Sequence, residues 1–410
     1  MPSPDRLPPG IYFRSGETPP PFFRLVTFNF TPSATPPSAA AALAAIWELL
    51  AELRDGQIRD LKAARAEDPV VRVDSGDLAY MLCYGHRLFS ADGRQTPLVS
   101  EDLLPDVTPE LSALAAGPLP SLKWSGTAQP AAAQTDFAIQ LTATSELAVA
   151  RPIVEIQKLI DDQALSVQLV CFFSGLHRDD RRSWIDFHDG INNMSSDERR
   201  AAIEIAQSPL EWLKEGTTLT FLKIAIDMQG WRRLSREQQE AIVGRDKLSG
   251  IPITNITVKD GDVKLTKMTG CPINREIGIG DGWPTESRDP GPVAGLAKTS
   301  HIHRANLTRQ PPATDAARRV YRQGYEFVDS PPEGGVRVGL NFVGFQHDAN
   351  IVLEILRNTD WLGDANFGGI KGDPAVPAFK LMSLIAGATF AVPPMSPDSF
   401  PGSALFTSLP

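Results

Sequence analysis

Cysteine, histidine and long apolar runs are all scarce in this 410-residue chain, and each shortage excludes a class of protein. The three cysteines, Cys83, Cys171 and Cys271, are odd in number and far apart, with no Cys-x-x-Cys pair. A disulfide framework, a zinc ribbon and a thioether-attached cofactor are therefore not expected. Cys83 and Cys171 lie in apolar runs, where buried free thiols are common, and a reducing compartment suits them. No run of about 18 apolar residues occurs, so no membrane-spanning helix is expected. Residues 1–21 have neither an apolar core nor an Arg-Arg pair, so no secretory or twin-arginine leader is expected there, and the cytoplasm is the expected location. There is no His-Glu-x-x-His helix, no Gly-x-Ser-x-Gly elbow and no P-loop. The run Gly278-Ile-Gly280-Asp-Gly282 neither follows a clear strand nor opens a helix, so it is weak support for a dinucleotide site.

What is present fits a globular protein: 42% hydrophobic and 22% charged residues. The length favours two domains over one core. A net charge of −9 argues against nucleic acid or an anionic membrane as partner. The 35 prolines fall largely in connecting segments, so long ordered loops are expected.

Periodicity places strands at 25–31, 78–86, 136–143 and 165–173, with helices at 38–66 and 145–163. Pro152 is expected to kink the second helix or delay its start. The order β-α-β-β-α-β is the split βαβ, ferredoxin-like arrangement, one sheet with helices on one face. A second round begins near residue 209, with strands at 217–227, 337–345 and 387–392 and helices at 235–243 and 349–358. Ser235 and Gln238 have capping-box spacing. Between the two parts of this second round lie roughly 90 residues with little periodicity, a length that tends to be functional when ordered. The fold class expected is α+β, two ferredoxin-like domains with antiparallel sheets, at 1–208 and 209–410.

Two segments concentrate chemistry. Trp184-Ile-Asp186-Phe-His188-Asp189-Gly190-Ile-Asn192-Asn193 packs carboxylates, an imidazole and amides beside aromatics, just after the last strand of the first domain. By residue type it reads equally as a shaped site or as a turn. Thr299-Ser-His301-Ile-His303-Arg304-Ala-Asn306 could place two imidazoles on one face for a metal, or be a polar surface loop.

Together these segments resemble the dye-decolorising peroxidases, along most of the chain. That family's Gly-x-x-Asp-Gly motif stands here as Asp186-Phe-His188-Asp189-Gly190, with Asp186 replacing the leading glycine. Its Ser/Ala-His-Ile segment is Ser300-His301-Ile302-His303-Arg304-Ala305-Asn306. An Arg-x-Gly step is matched by Arg322-Gln323-Gly324, a Gly-Leu-x-Phe-x-x-Phe-Gln strand by Gly339 to Gln346, and a Phe-x-Val-Pro-Pro end by Phe390 to Pro394. Trp231, the Ser235–Ile242 helix and Gly244-Arg245 also look familial.

The resemblance implies non-covalent haem b, held mainly by the second domain, with His301 as the iron ligand. His303 stands where the family often has Arg and is expected at a propionate or in solvent. Arg309 is expected at a propionate, one residue off the family's Pro-Arg, and Asn192 and Phe342 complete the expected cofactor set. Asp189 and Arg322 are the expected catalytic pair: Asp189 carries a proton between the peroxide oxygens, and Arg322 stabilises the departing one. The reaction implied is reduction of hydrogen peroxide through a ferryl species and oxidation of a small phenolic or dye-like donor. An Asp base, with a reference pKa of about 3.9, leads us to expect an acidic optimum.

Losing the motif glycine at 186 removes easy access to positive φ, so an altered loop is expected. Asn341 interrupts an apolar strand and would either reach the distal pocket or bond across the sheet. These departures keep open a specialised biosynthetic haem enzyme, and a haem-delivery protein without turnover is the other alternative. Trp184, Tyr321, Tyr325 and Trp361 are candidates for passing oxidising equivalents to the surface, although most aromatics are core. A homo-oligomer is expected, and the Pro/Ser-rich residues 395–410 are read as a disordered tail.

Overall fold

In a computed structural model of the protein, the described residues are 6–62, 68–91, 94, 97–108, 135–178, 180, 182–188, 194, 196–259, 262–267, 300–305, 320–357 and 381–407. The first half supplies β1 (Phe22–Phe30), α1 (Pro36–Arg54), β2 (Ala79–Tyr84), β3 (Phe137–Ala143), α2 (Glu146–Gln163) and β4 (Val167–Leu176). Thr35 caps α1: its Oγ1 accepts from the Ser38 amide while Ser38 Oγ accepts from the Thr35 amide, and Pro36 fits the first turn because no intrahelical partner is needed there. Ala39, Ala42, Leu43, Ile46, Leu49, Leu50 and Leu53 form the buried stripe of α1. Ser145 caps α2, which runs on through the buried Pro152 rather than starting after it. The expected helix over 38–66 is shorter at its end, stopping at Asp55, whose amide donates back to Ala51, before Gly56 turns the chain at φ +73°.

After β4 comes α3 (Ser196–Ile203); the second half begins with β5 (Thr217–Ile226), followed by α4 (Met228–Arg233) and α5 (Arg236–Val243). The Ser235/Gln238 capping box is formed as the spacing suggests, and Gly244 ends α5 in the left-handed region. Next come a hairpin of β6 (Ile253–Lys259) and β7 (Asp262–Lys267), and the four-residue helical turn α6 (His301–Arg304). The chain closes with β8 (Tyr321–Arg322), β9 (Tyr325–Asp329), β10 (Arg337–Gln346), α7 (Asn350–Arg357) and β11 (Met382–Val392). The hairpin and β8–β9 lie where no periodicity was visible. β8 and β9 keep one register along β10 and form a single line interrupted at Gln323–Gly324.

Within the first half the sheet order is β2-β3-β1-β4, and within the second it is β9-β10-β5-β11, every pairing antiparallel. The two sheets do not stay separate. β11 meets β2 at Ala391–Tyr84 and β4 meets β9 at Leu176–Glu326, so the ring closes into a barrel. The cause is visible in β3, which is buried along its whole length. Helices cover one face, and the other must face a second sheet. Phe23, Leu25, Met81, Cys83, Phe173, Phe221, Val343, Phe345 and Phe390 fill the barrel interior. No described helix is long and apolar enough to cross a membrane.

Outside the barrel, α1 and α2 seal the first half over Val26, Phe28, Leu82, Phe137 and Ile139. Phe400, Leu405 and Phe406 join that same core. The Tyr84 hydroxyl donates to Pro401 O at 2.7 Å, and Gly402, at φ +78°, lies so close to the Tyr84 ring that a Cβ would sit 2.4 Å from it. Residues 395–407 are thus an ordered strap on the first half, which corrects the disordered tail expected from composition.

Candidate functional site

The segment that carries His301 is seated by a glycine. Ser300 is fully buried and leads into α6, where the Ala305 amide donates to His301 O at 2.8 Å. A Cβ on Gly244 would lie 2.5 Å from Ser300 and 2.8 Å from Ile302. Gly244 also has φ +92°, so this position needs glycine for its backbone and for the close approach. His301 is half-buried on the turn so placed.

The sheet supplies a second wall. Along β10 side chains alternate: Asn341, Val343 and Phe345 point into the barrel, while Leu340, Phe342 and Gly344 face outward. Arg322 pairs in register with Gly344, and the Phe342 ring lies over that glycine, since a Cβ there would meet Phe342 Cε1 at 2.7 Å. Arg322 is exposed, and its Nη1 would be 3.9 Å from a Cβ on Gly324, whose nearest neighbour is Leu340. Arg322, Leu340 and Phe342 therefore share one outward face.

The segment before Asp189 is a tight hairpin. Ser183 N donates to Phe187 O at 3.0 Å, and Asp186 N donates to Ser183 O at 2.8 Å, with a bridge between Arg182 and His188. This is a turn followed by one left-handed residue, and that residue is Asp186 at φ +67°. Asp186 thus takes the positive φ that loss of the motif glycine was expected to make difficult, at the modest cost an Asp pays in that region. The Asp186 carboxylate faces Lys247 Nζ at 3.5 Å and is itself exposed.

The hairpin and the sheet meet on the α4–α5 layer, and Gly244 at the end of that layer seats Ser300 and Ile302. Ile185 and Phe187 from the hairpin, Trp231, Leu234, Ile242 and Val243 from the α4–α5 layer, and Leu222, Ile224 and Phe342 from the sheet belong to one apolar cluster. Asp189, Asn192 and Arg309 lie outside the described residues, as do the side chain of His303 and the whole of Trp361. Asn341 is turned away from this face: it is fully buried, and its Nδ2 donates to Ser174 O on β4 at 2.8 Å. Tyr321 and Tyr325 are barrel residues, the first donating to Tyr12 O and the second stacked on Phe23 at 4.6 Å. Burial pushes both hydroxyls to higher pKa.

The loop at 245–250, absent from the sequence-level site, links these walls. Asp246 Oδ1 accepts from the Leu248 and Ser249 amides and the Ser249 hydroxyl at 3.0, 2.7 and 2.7 Å. Its other oxygen faces Lys267 and Arg236. Burial raises the Asp246 pKa, but Lys267 and Ser249 outweigh it and hold the carboxyl well below the usual range. The Asp-x-x-Ser-Gly pattern of this loop was the available signal.

A family model for the C-terminal part of Dyp-type peroxidases matches residues 180–396, from just before the hairpin to just after β11. The chain belongs to the Dyp-type peroxidase family. It is accordingly an oxidoreductase acting on peroxide, in a family of haem proteins. Known Dyp-type structures share its fold. A peroxidase of this type from Streptomyces coelicolor is 19% identical with a TM-score of 0.68, covering 97% of this chain and 94% of its own. Ferric DtpA from Streptomyces lividans is 20% identical with a TM-score of 0.68, covering 98% and 95%. A Dyp-type peroxidase from Cellulomonas bogoriensis is 20% identical with a TM-score of 0.64, covering 96% and 95%.

Proposed function

We propose that this peroxidase binds non-covalent haem b on the outer face of the second half's sheet, where His301 would hold the iron and Asp189 and Arg322 would act on peroxide. The observation that carries the reading is the convergence of distant segments on one apolar cluster. Phe187 stands two residues before Asp189, Val243 adjoins the glycine that seats Ser300 and Ile302, and Phe342 adjoins Arg322 across Gly344. The donor set fits the cofactor. A half-buried imidazole can ligate iron, half-buried Leu340 and Phe342 suit a flat apolar macrocycle, and an exposed guanidinium suits anionic oxygen. His303, Arg309 and Asn192 complete the proposed binding set. The matching strand orders support two ferredoxin-like units divided near residue 208, the second carrying the cofactor.

Bound haem supplies the iron at which peroxide is activated and the storage of oxidising equivalents. The chain's own part is acid–base and electrostatic. Asp189 would take the proton from one oxygen of the peroxide and return it to the other. Arg322, cationic at any working pH, stabilises the charge on the leaving oxygen. A phenolic or dye-like donor then returns the electrons. The two residues that suggested a specialised biosynthetic enzyme give it no support: Asp186 takes the left-handed conformation that a glycine would, and Asn341 bonds to Ser174 O of β4.

The test is the visible spectrum of haem-loaded protein beside His301→Ala, before and after one equivalent of hydrogen peroxide. The expected result is a Soret band that shifts or weakens in the variant and a wild-type spectrum that responds to peroxide. Asp189→Asn should slow that response by about 10²- to 10⁴-fold at unchanged haem loading. An unaltered Soret band in His301→Ala removes His301 as ligand, and absence of haem binding removes the proposal.

A further inference from the structure

Arg182 has no place in the chemistry above, yet its side chain joins the two walls of the site. Nη1 donates to Asp186 O at 2.6 Å and to Lys247 O at 2.7 Å. Nη2 donates to Leu248 O at 3.1 Å and to His188 Nε2 at 2.8 Å. Two of these acceptors lie in the hairpin that runs into Asp189. The other two are backbone carbonyls of the loop that follows Gly244, on which the Ser300–Ile302 segment rests. A guanidinium has donors only, so His188 Nε2 must accept, which places the proton of the neutral ring on Nδ1. One planar fork thus sets both the His188 ring and the spacing between hairpin and loop. The receiving loop is itself fixed. Asp246 gathers its amides, the Lys247 amide donates to Glu240 Oε1 at 3.0 Å, and Arg245 Nη1 donates to Gly250 O at 2.9 Å.

We propose that Arg182 is a positioning residue of the peroxide reaction, holding the hairpin that carries Asp189 at a set distance from the loop that supports the His301 side. The inference rests on the proposed role of Asp189. Arg182 reaches peroxide only through that residue: a shift of the hairpin by about 1 Å is enough to cost a reaction some hundredfold. The arrangement asks for a fork rather than a charge, because a lysine ammonium cannot address four acceptors spread over two segments.

The experiment compares Arg182→Ala, Arg182→Lys and, as control, Arg178→Ala in the haem-loaded protein. Arg178 lies in the same segment, stacks 4.6 Å from the Trp184 ring and pairs with Asp180. No contact of Arg178 described above crosses to the second half. Two readouts are taken: amide hydrogen exchange of the 182–188 and 245–250 segments, and the second-order rate of the spectral response to peroxide. In Arg182→Ala the Ser183 and Asp186 amides are expected to exchange at least tenfold faster. The peroxide rate should fall about ten- to hundredfold, with Soret position, haem loading and the KM for the organic donor unchanged. Millimolar guanidinium should restore part of the rate, Arg182→Lys should fall between alanine and wild type, and Arg178→Ala should match wild type in rate. A wild-type peroxide rate in Arg182→Ala overturns the proposal, as does full recovery by lysine. Loss of haem together with the rate, shared by Arg178→Ala, also overturns it in favour of a general folding role. If wild type itself does not respond to peroxide, the functional reading fails. The exchange arm then still decides whether Arg182 clamps the hairpin.

Discussion

The two halves use the same strand order and cover their sheets differently. Outside the first half lie two long helices and the C-terminal strap, and the face beneath them is buried. Among the described residues, the short helices α4, α5 and α7 lie outside the second half, and part of the face is half-exposed at Ile226, Leu340, Phe342 and Met382, with Arg322 exposed. A covered face is core, where each side chain contributes stability. A face left partly open can take a flat apolar ligand, and its residues are expected to contribute more to binding than to folding.

The sharpest break of that comparison is a pair of truncations. Phe137→Ala, in the sealed core, should lower unfolding free energy by about 3–5 kcal/mol. Phe342→Ala should cost well under half of that in the haem-free protein but speed haem loss. Denaturant unfolding and haem transfer to an apo-globin measure the two, and equal costs would erase the distinction drawn here. Gly244→Ala tests whether the second half's tolerance ends at its supports. The substituent meets positive φ and the Ser300 side chain together, so a loss of about 1–3 kcal/mol is expected, with a weakened Soret band. Tyr84→Phe removes the hydroxyl that holds the strap and should cost about 0.5–1.5 kcal/mol, read as faster proteolysis after residue 395.

The smallest effect is a pH dependence confined to the second half. Asp246 has a folded pKa below its unfolded value, so its contribution is full above about pH 4, the ordinary Asp value, and is lost as pH falls further toward the folded pKa. Asp246→Asn should therefore reduce stability near neutrality and flatten the acid limb below pH 4, followed by urea midpoints. An unchanged acid limb would show that Lys267 and Ser249 do not hold that carboxylate.

Much of the fold was legible because it is local. The Ser235/Gln238 capping box spans three residues, and the apolar stripe of α1 repeats at helical spacing. β8 and β9 were not legible, because Tyr321–Asp329 is split at Gln323-Gly324 and is held by its pairing to β10 and, at Glu326, to β4. The same limit hid Arg182, whose acceptors at 247 and 248 are distant in sequence and are backbone carbonyls, which carry no residue signature. Asp186 misled for a related reason: the lost glycine argued against positive φ, while the hairpin's hydrogen bonds hold Asp186 at φ +67°.

By itself, then, the sequence determined the α+β character, the element order in most of the chain, and the short motifs around His301 and Asp189 by which the family is recognised. Only the tertiary structure decided that two sheets close into one barrel, that Asn341 faces inward while Phe342 faces outward, and that the C-terminal strap returns to the first half. The physical reason is that side-chain period and capping are set by neighbours along the chain. Register and closure are set by which apolar faces must be buried against each other, and that depends on segments hundreds of residues apart.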